Sequence, residues 1–433
     1  MRTRGAQKGR GKGPPRSGDA TGRMGARGPV GLFGRTSTAG LSTIVLIALI
    51  GFNLRSVILG VPPVLPAVRD DLHLSFTTAG ALTALPVLCL GAASIPGAVL
   101  VSRFGASFVV GTGTLGLGLA ALLRLAPPVP AALYVFSGLM ALFAAIAQPA
   151  MVSAIRGWFP GTIQRVSTVF ALALGLGGLG GAALSVHLQV LGGWRGTFAF
   201  WGLLALAAGL LWMAVAPRRP GHEQPEAAGS VLQVLRDPTA WHVAAVFGIQ
   251  SLVYYGSASW IPFELRPYGP GYLSAVLLLF NLVGIPLALI LVAVRWPWAT
   301  ARPYYVLAGI LMTVGSGAFA LGLGGAWFWV LLLGAGTGMT FTGATALPAL
   351  LAASHGQVAG YAAIVLTVGY AISFTGPLLG GVLLDYTHHT TSPFWPMVAV
   401  SVCLVGLGLT LPRPPEVDHS KVSVSRDEAP SGS

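Results

Sequence analysis

The residue in this sequence best equipped for chemistry is Arg55. It stands in Gly51-Phe52-Asn53-Leu54-Arg55, near the middle of the first long apolar stretch, Leu41 to about Leu65. Every other Arg and Lys, and every Asp and Glu, reads as lying in a loop, a tail or a segment end. A lone arginine inside a membrane segment is costly unless compensated, which makes it a functional-site hypothesis by default. A helix starting at Leu41 would carry Arg55 about 21 Å inward, close to mid-membrane. A guanidinium facing a cavity there binds an anion, or a polarised nitro or carbonyl group, as a planar fork. The alternative is structural. Arg55 could snorkel to the outer interface, more easily if the helix ends near Pro62, or bond exposed helix carbonyls.

Other polar residues in apolar surroundings join it. Gln250, Tyr254 and Ser257 follow an i, i+4, i+7 spacing and so share one helix face. Trp260 is close to that stripe, near the expected outer end. The stripe lines a cavity, or else makes interhelical bonds with an interfacial tryptophan. Asn281 is the only asparagine besides Asn53 and is expected to line the same cavity from the second half of the chain. Gln148, Thr367 and Tyr370 are further candidates. Asn53 lies about 200° round the helix from Arg55, so its expected role is a helix–helix hydrogen bond. No Asp or Glu lies deep in a segment, and His187, His242 and His355 sit near ends or in a short loop. An unopposed arginine makes the cavity electropositive. The expected substrate is a small anionic or electron-rich molecule, with a coupling proton left open.

The elements that must position these residues follow from composition. Of 433 residues, 54% are hydrophobic and 9% charged. Soluble domains carry about 25% charged residues, so the chain belongs in the lipid bilayer as an all-α integral membrane protein. Twelve apolar segments are each long enough to cross the hydrocarbon core: 41–66, 77–101, 107–126, 130–155, 165–190, 196–216, 240–262, 271–295, 303–324, 326–352, 358–384 and 394–411. Their length and lack of alternation exclude a barrel. The two cysteines, Cys89 and Cys403, exclude a disulfide framework or cysteine metal site.

The net charge of +13 does not point to nucleic acid, because nine of the 25 Lys and Arg lie in residues 1–39. That Gly/Pro-rich stretch reads as a disordered basic cytoplasmic tail, or as a start codon placed too early. Loops on the tail side hold eight arginines and loops on the other side four, so both termini are expected to be cytoplasmic, in the cell (inner) membrane. The expected domains are an N-terminal six-helix half at 40–216, a cytoplasmic linker at 217–239, a C-terminal six-helix half at 240–412 and a disordered cytoplasmic tail at 413–433. Weak matches at an offset near 200 support two parallel halves: Leu179-Gly180-Gly181 with Leu379-Gly380-Gly381, Pro149 with Pro348, and Ile95-Pro96 with Ile285-Pro286.

Asn53-Leu54-Arg55, Val64-Leu65-Pro66-Ala67-Val68-Arg69-Asp70-Asp71-Leu72 and Ala84-Leu85-Pro86-Val87-Leu88 together resemble the opening of the cyanate-permease/nitroimidazole-transporter branch of the major facilitator superfamily. Phe280-Asn281-Leu282-Val283-Gly284-Ile285-Pro286 and Gly376-Pro377-Leu378-Leu379-Gly380-Gly381 with Asp385 are similar to that branch too. The resemblance covers all but the tails. It implies the major facilitator fold, a substrate site between the halves near the midplane, and a cyanate-like or nitroimidazole-like substrate moved by alternating access. The chain departs from the superfamily's Gly-x-x-x-Asp-Arg-x-Gly-Arg-type loop. At Ser102-Arg103-Phe104-Gly105-Ala106 the acidic position is Ser102 and the trailing basic one is Ala106.

Several motifs carry less than they promise. Gly111-Thr112-Gly113-Thr114-Leu115-Gly116 is a literal GxGxxG inside a membrane segment, so it reads as packing. Gly177 and Gly181 form a GxxxG contact. Asp385, His388 and His389 read as a solvated outer loop. There is no P-loop and no nucleophile–base pair, so no cofactor and no enzyme activity are expected. A monomer is the expected state. The rival readings are an exporter of amphipathic drugs on the same fold, in which Arg55 is dispensable, and a non-transporting membrane receptor.

Overall fold

Proline and glycine punctuate an otherwise continuous run of apolar helix. The computed structural model describes residues 38–92, 94–125, 130–217, 234–293, 302–351 and 355–411. Everything below concerns the large compact unit Ser42–Ser433. The basic tail, most of the 217–239 linker and the C-terminal tail lie outside the described residues.

Helix α1 spans Thr38–Leu59. It does not run on to residue 66, the expected end of the first segment. Pro62 and Pro63 lack the amide a continuing helix needs, so the chain makes one 3-10 turn at Pro62–Val64 and restarts as α2, Leu65–Leu72. The second crossing is also two pieces, α3 (Phe76–Ala92) and α4 (Ser94–Phe104). Gly105, at φ 82°, makes the tight turn into α5, Ala106–Leu123. Next come α6, Pro130–Trp158, and α7, a 53-residue run over Ile163–Val215. Gly193 interrupts α7 at φ 64° and ψ −174°. That conformation is open to glycine, and it divides α7 into two limbs.

Helix α8, Pro238–Glu264, begins at Asp237, whose side chain accepts from the Thr239 amide at 2.9 Å. This is the N-cap arrangement that favours Asp, followed by proline at the first helical position. The Tyr361 hydroxyl also donates to Asp237. Burial alone would raise the Asp237 carboxyl, but these hydrogen bonds hold it below its ordinary value. The eighth crossing is again split, into α9 (Pro270–Leu282) and α10 (Gly284–Ala293). Then follow α11 (Arg302–Ala320), α12 (Ala326–Leu351), α13 (His355–Thr387) and α14 (Phe394–Leu409).

Among the described residues, eight stretches are long and apolar enough to cross a membrane. The second limb of α7, the shorter α3 and α14, and α8 complete twelve crossings among the described residues. Helix α8 is less apolar because Gln250, Ser251, Ser257 and Ser259 lie along it, all buried. The repeat shows in the breaks. Pro149 and Pro348 both lie inside the fourth crossing of their half. Pro96 and Pro286 are both third in the restarted piece of a broken crossing.

Glycine lets the crossings touch. A Cβ on Gly181 would lie 2.6 Å from the Ser56 carbonyl oxygen, and one on Gly177 would collide with the Phe52 carbonyl. The GxxxG of α7 is thus its seam with α1. Between the halves, α13 packs on α3 and α9 packs on α7, while within the second half α13 packs on α8. A Cβ on Gly381 would lie 2.5 Å from the Phe76 carbonyl oxygen. Trp260 is not an interfacial belt residue. It is fully buried and lies against Gly80 of α3 and Gly380 of α13, in the room their missing Cβ atoms leave.

At the end of the bundle where α1 gives way to α2, hereafter the distal end, two expectations are corrected. Asp385 is not in a solvated loop. It belongs to the last turns of α13, and its carboxylate accepts from the Phe76 amide (2.8 Å), the Thr77 amide (2.7 Å) and the Thr77 hydroxyl (2.6 Å). The free amides at the start of α3 form a positive helix end that a carboxylate satisfies. Arg124, one of the four arginines counted in the loops away from the tails, is not solvated either. It ends α5, is fully buried, and its guanidinium lies 4.1 Å from the Phe198 ring centre. The flat guanidinium stacks on an aromatic face where a lysine could not.

Candidate functional site

Four crossings, two from each half, converge on Arg55. Leu59 of α1, Val87 of α3 and Tyr255 of α8 form a small buried cluster, with Tyr254 of α8 and Tyr370 of α13 packed against it. Arg55 is half-buried, on a helix whose neighbouring residues Leu54 and Ser56 are buried. Its Nη1 donates to the Tyr255 hydroxyl at 3.0 Å. Tyr370 adds a further hydroxyl-bearing ring to this cluster. The ion pairs among the described residues, Arg69–Asp70, Arg195–Asp71 and Arg266–Asp70, all lie at the distal end. The partner that Arg55 does have is a neutral hydroxyl, so its positive charge is solvated but not cancelled.

The second half supplies an aromatic and amide wall. The Tyr254 hydroxyl donates to Asn281 Oδ1 at 2.7 Å, and Asn281 Nδ2 donates to the Leu277 carbonyl at 2.9 Å. The Tyr254 ring stacks on Phe280 at 5.3 Å and meets Tyr255 edge to face at 5.1 Å. Offset and edge-to-face pairs of this kind hold ring positions more firmly than area burial alone. Tyr254 and Asn281 also line a void that holds roughly one water molecule. A polar tip on each rigid ring, set around one uncancelled guanidinium, suits a compact group bearing negative charge or electron-rich oxygens.

The structure therefore brings Arg55 together with Tyr370 and Tyr254, and Tyr254 with Asn281. It does not bring Gln250 or Gln148 to them. Gln250 is buried and its Oε1 accepts from the neighbouring Ser251 hydroxyl at 2.9 Å. Gln148 is half-buried on α6 and, among the described residues, makes no hydrogen bond with this cluster. Ser257, also on the predicted stripe, points to Met397 of α14 at 3.4 Å. Asn53 is fully buried and donates to the Leu49 carbonyl of its own helix at 2.8 Å, where a bond to another helix was expected. Its carbonyl oxygen has no partner. His187 and His242 bond the backbone carbonyls of Ala183 and Leu407, away from the cluster.

Tyr255 was not foreseen, and a signal for it existed. The halves repeat at an offset near 200, and 55 and 255 differ by 200. In two parallel halves related by an axis along the membrane normal, such positions face each other across the axis.

Residues 41–374 match the Major Facilitator Superfamily. Among characterised relatives, the chain is 27% identical over 395 residues to the 2-nitroimidazole transporter of Escherichia coli (strain K12), covering 88% of this chain and 99% of that protein. It is 29% identical over 371 residues to the cyanate transport protein CynX of the same organism, covering 84% and 94%. It is 28% identical over 372 residues to the uncharacterized transporter YycB of Bacillus subtilis (strain 168), covering 84% and 91%. In fold it is similar to a bacterial homolog of the human lysosomal transporter Spinster in an inward-facing, occupied conformation. That comparison gives a TM-score of 0.72 at 13% identity, with 87% of this chain and 97% of that chain covered. The D-xylose-proton symporter gives a TM-score of 0.69 at 13% identity, covering 87% and 98%. Twelve apolar crossings with a polar cluster between the halves, and a match along most of the chain, place this multi-pass membrane protein in the Major Facilitator Superfamily.

Proposed function

We propose that this chain is a secondary transporter for a small anion or compact electron-rich molecule, of the cyanate or nitroimidazole kind, moved by alternating access. The observation that carries the reading is the Arg55 guanidinium, held between the halves with a tyrosine hydroxyl as partner and no carboxylate among the described residues. Arg55 binds the negative end of the substrate. Tyr254, Asn281 and Tyr370 supply polar contacts from the other half, and the stacked rings set the size of the cavity. Residues 40–216 and 240–412 are the two bodies that rock about the site. Both termini lie in the cytoplasm, by the excess of Arg and Lys on that side, and the working unit is a monomer.

The test is uptake into sealed proteoliposomes of cyanate, nitrite, a nitroimidazole, a carboxylate and a cationic dye. Each is run with the intact protein and with Arg55→Ala, with and without an imposed pH gradient. The reading expects at least one anion or nitro compound to cross and Arg55→Ala to abolish its passage. The gradient arm decides whether a proton is coupled. Passage of the dye alone, indifferent to Arg55→Ala, would replace the reading with a drug exporter.

A further inference from the structure

The bond between Arg55 and Tyr255 joins the two halves at the level where substrate is expected. Arg55 comes from α1 and Tyr255 from α8, 200 residues apart, and Nη1 lies 3.0 Å from the hydroxyl oxygen. The same α8 face continues toward the first half one turn later. There the Ser259 hydroxyl donates to Thr83 of α3 at 2.9 Å, while its oxygen lies 2.8 Å from the Tyr255 carbonyl. Tyr255 itself is buried, so its hydroxyl is committed to this junction and not to solvent. Its neighbour Tyr254 is committed elsewhere, to Asn281. One of two adjacent tyrosines thus completes the wall of the site, and the other occupies the charge.

We propose that Tyr255 is the stand-in ligand of Arg55 in the empty transporter, displaced by substrate, and that this hydroxyl is what allows the unloaded protein to close between its two states. The proposal rests on the anion-site reading above. Shutting an unpaired guanidinium away from water costs free energy steeply. A loaded carrier avoids that cost because the substrate pairs with Arg55. An empty carrier has no substrate, and closing over Arg55 requires some other acceptor. The Tyr255 hydroxyl supplies an acceptor from the opposite half, and Tyr370, packed against the same cluster, carries a further hydroxyl from that half's α13. A tyrosine hydroxyl suits this role better than a carboxylate would. It satisfies the N–H without cancelling the charge, so an incoming anion can replace it.

The consequence separates two modes of flux. Net uptake requires the empty carrier to return in every cycle. Exchange of labelled for unlabelled substrate cycles only loaded forms. In Tyr255→Phe the ring and its packing remain and only the acceptor is lost. The experiment measures both fluxes of labelled 2-nitroimidazole and labelled cyanate in proteoliposomes holding the full chain. It compares the intact protein, Tyr255→Phe, Tyr370→Phe and the double variant, all checked for folding by size-exclusion profile and thermal unfolding.

The expected result is that the ratio of net uptake to exchange falls about tenfold in Tyr255→Phe, the scale of one hydrogen bond to a charged group. The fall should be smaller in Tyr370→Phe and larger in the double variant. An unchanged ratio, whether both fluxes fall together or neither does, overturns the proposal and leaves the anion-site reading standing. If the intact protein moves neither probe in either mode, the transport reading for these substrates fails and the role of Tyr255 fails with it.

Discussion

The two halves meet in two chemically different ways. At the distal end the junction is built from formal charge. Asp385 of α13 receives three hydrogen bonds from the start of α3, and Asp70 pairs with Arg266 at 2.6 Å. Deeper in the bundle the junction holds one charge among the described residues, Arg55, and its partner is neutral. The difference follows water. Side chains at the distal end remain partly wet, Asp70 at 40% and Arg266 at 61% exposure, so paired charges there cost little to desolvate and contribute little, about 0.2–1 kcal/mol for an exposed pair. Deep in the bundle a second formal charge would neutralise the first and close the site to an anion. The lesson is a difference in partners: Asp70, Asp71 and Asp385 at the distal end take arginines or helix amides, and Arg55 deeper in the bundle takes a neutral hydroxyl.

The opposite end sharpens the contrast. Ser102 stands where many relatives have an acidic residue, and its hydroxyl donates to Val99 of its own helix at 2.9 Å. The contact of a carboxylate with a helix start in the other half is made at the distal end, by Asp385.

That comparison can be broken in graded steps, read by the labelling rate of a cysteine at position 83 in detergent. Thr83 is buried at the junction beneath the distal contacts, and Cys89 and Cys403, both unpaired, are first replaced by Ala. The largest effect is expected from Gly381→Leu, because a side chain there meets the Phe76 backbone at 2.5 Å. The distal end should no longer close, labelling should rise about a hundredfold, and net uptake should fall to a similar extent in protein that still folds. Asp385→Ala should raise labelling about tenfold, since it strips the α3 amides of their acceptor, and Asp385→Asn, which keeps one acceptor oxygen, should do less. Asp70→Asn should change the rate less than about threefold, and that small effect should vanish at high salt, because the lost pair is exposed. If Asp70→Asn outweighed Asp385→Ala, the ranking of the two contacts would be reversed.

How much of this was legible beforehand depends on what each feature is made of. The crossings were legible because a bilayer demands runs of about 20 apolar residues. The breaks after Leu59, Ala92 and Leu282 were blurred, because apolar side chains continue through them and only the backbone changes. Arg55 was legible as a charge in the wrong solvent, and Tyr254 and Asn281 as polar tips in apolar runs. Gln250 was not separable from them, since one helix face carries both and only packing turns it toward Ser251. Asp385 was unreadable because its partners are backbone amides more than 300 residues away. Arg124 was misplaced because the aromatic face that receives it, Phe198, comes from another crossing.

The most direct measurement is equilibrium binding of cyanate and of 2-nitroimidazole to the purified protein, titrated in parallel with Arg55→Ala and Arg55→Lys at matched thermal stability. The account predicts that Arg55→Ala weakens binding about a hundredfold or more and that Arg55→Lys falls between, keeping the charge but losing the fork. A folded Arg55→Ala that binds either compound as tightly as the intact protein would contradict the account, because the charge left free in the middle would then not be there for the ligand.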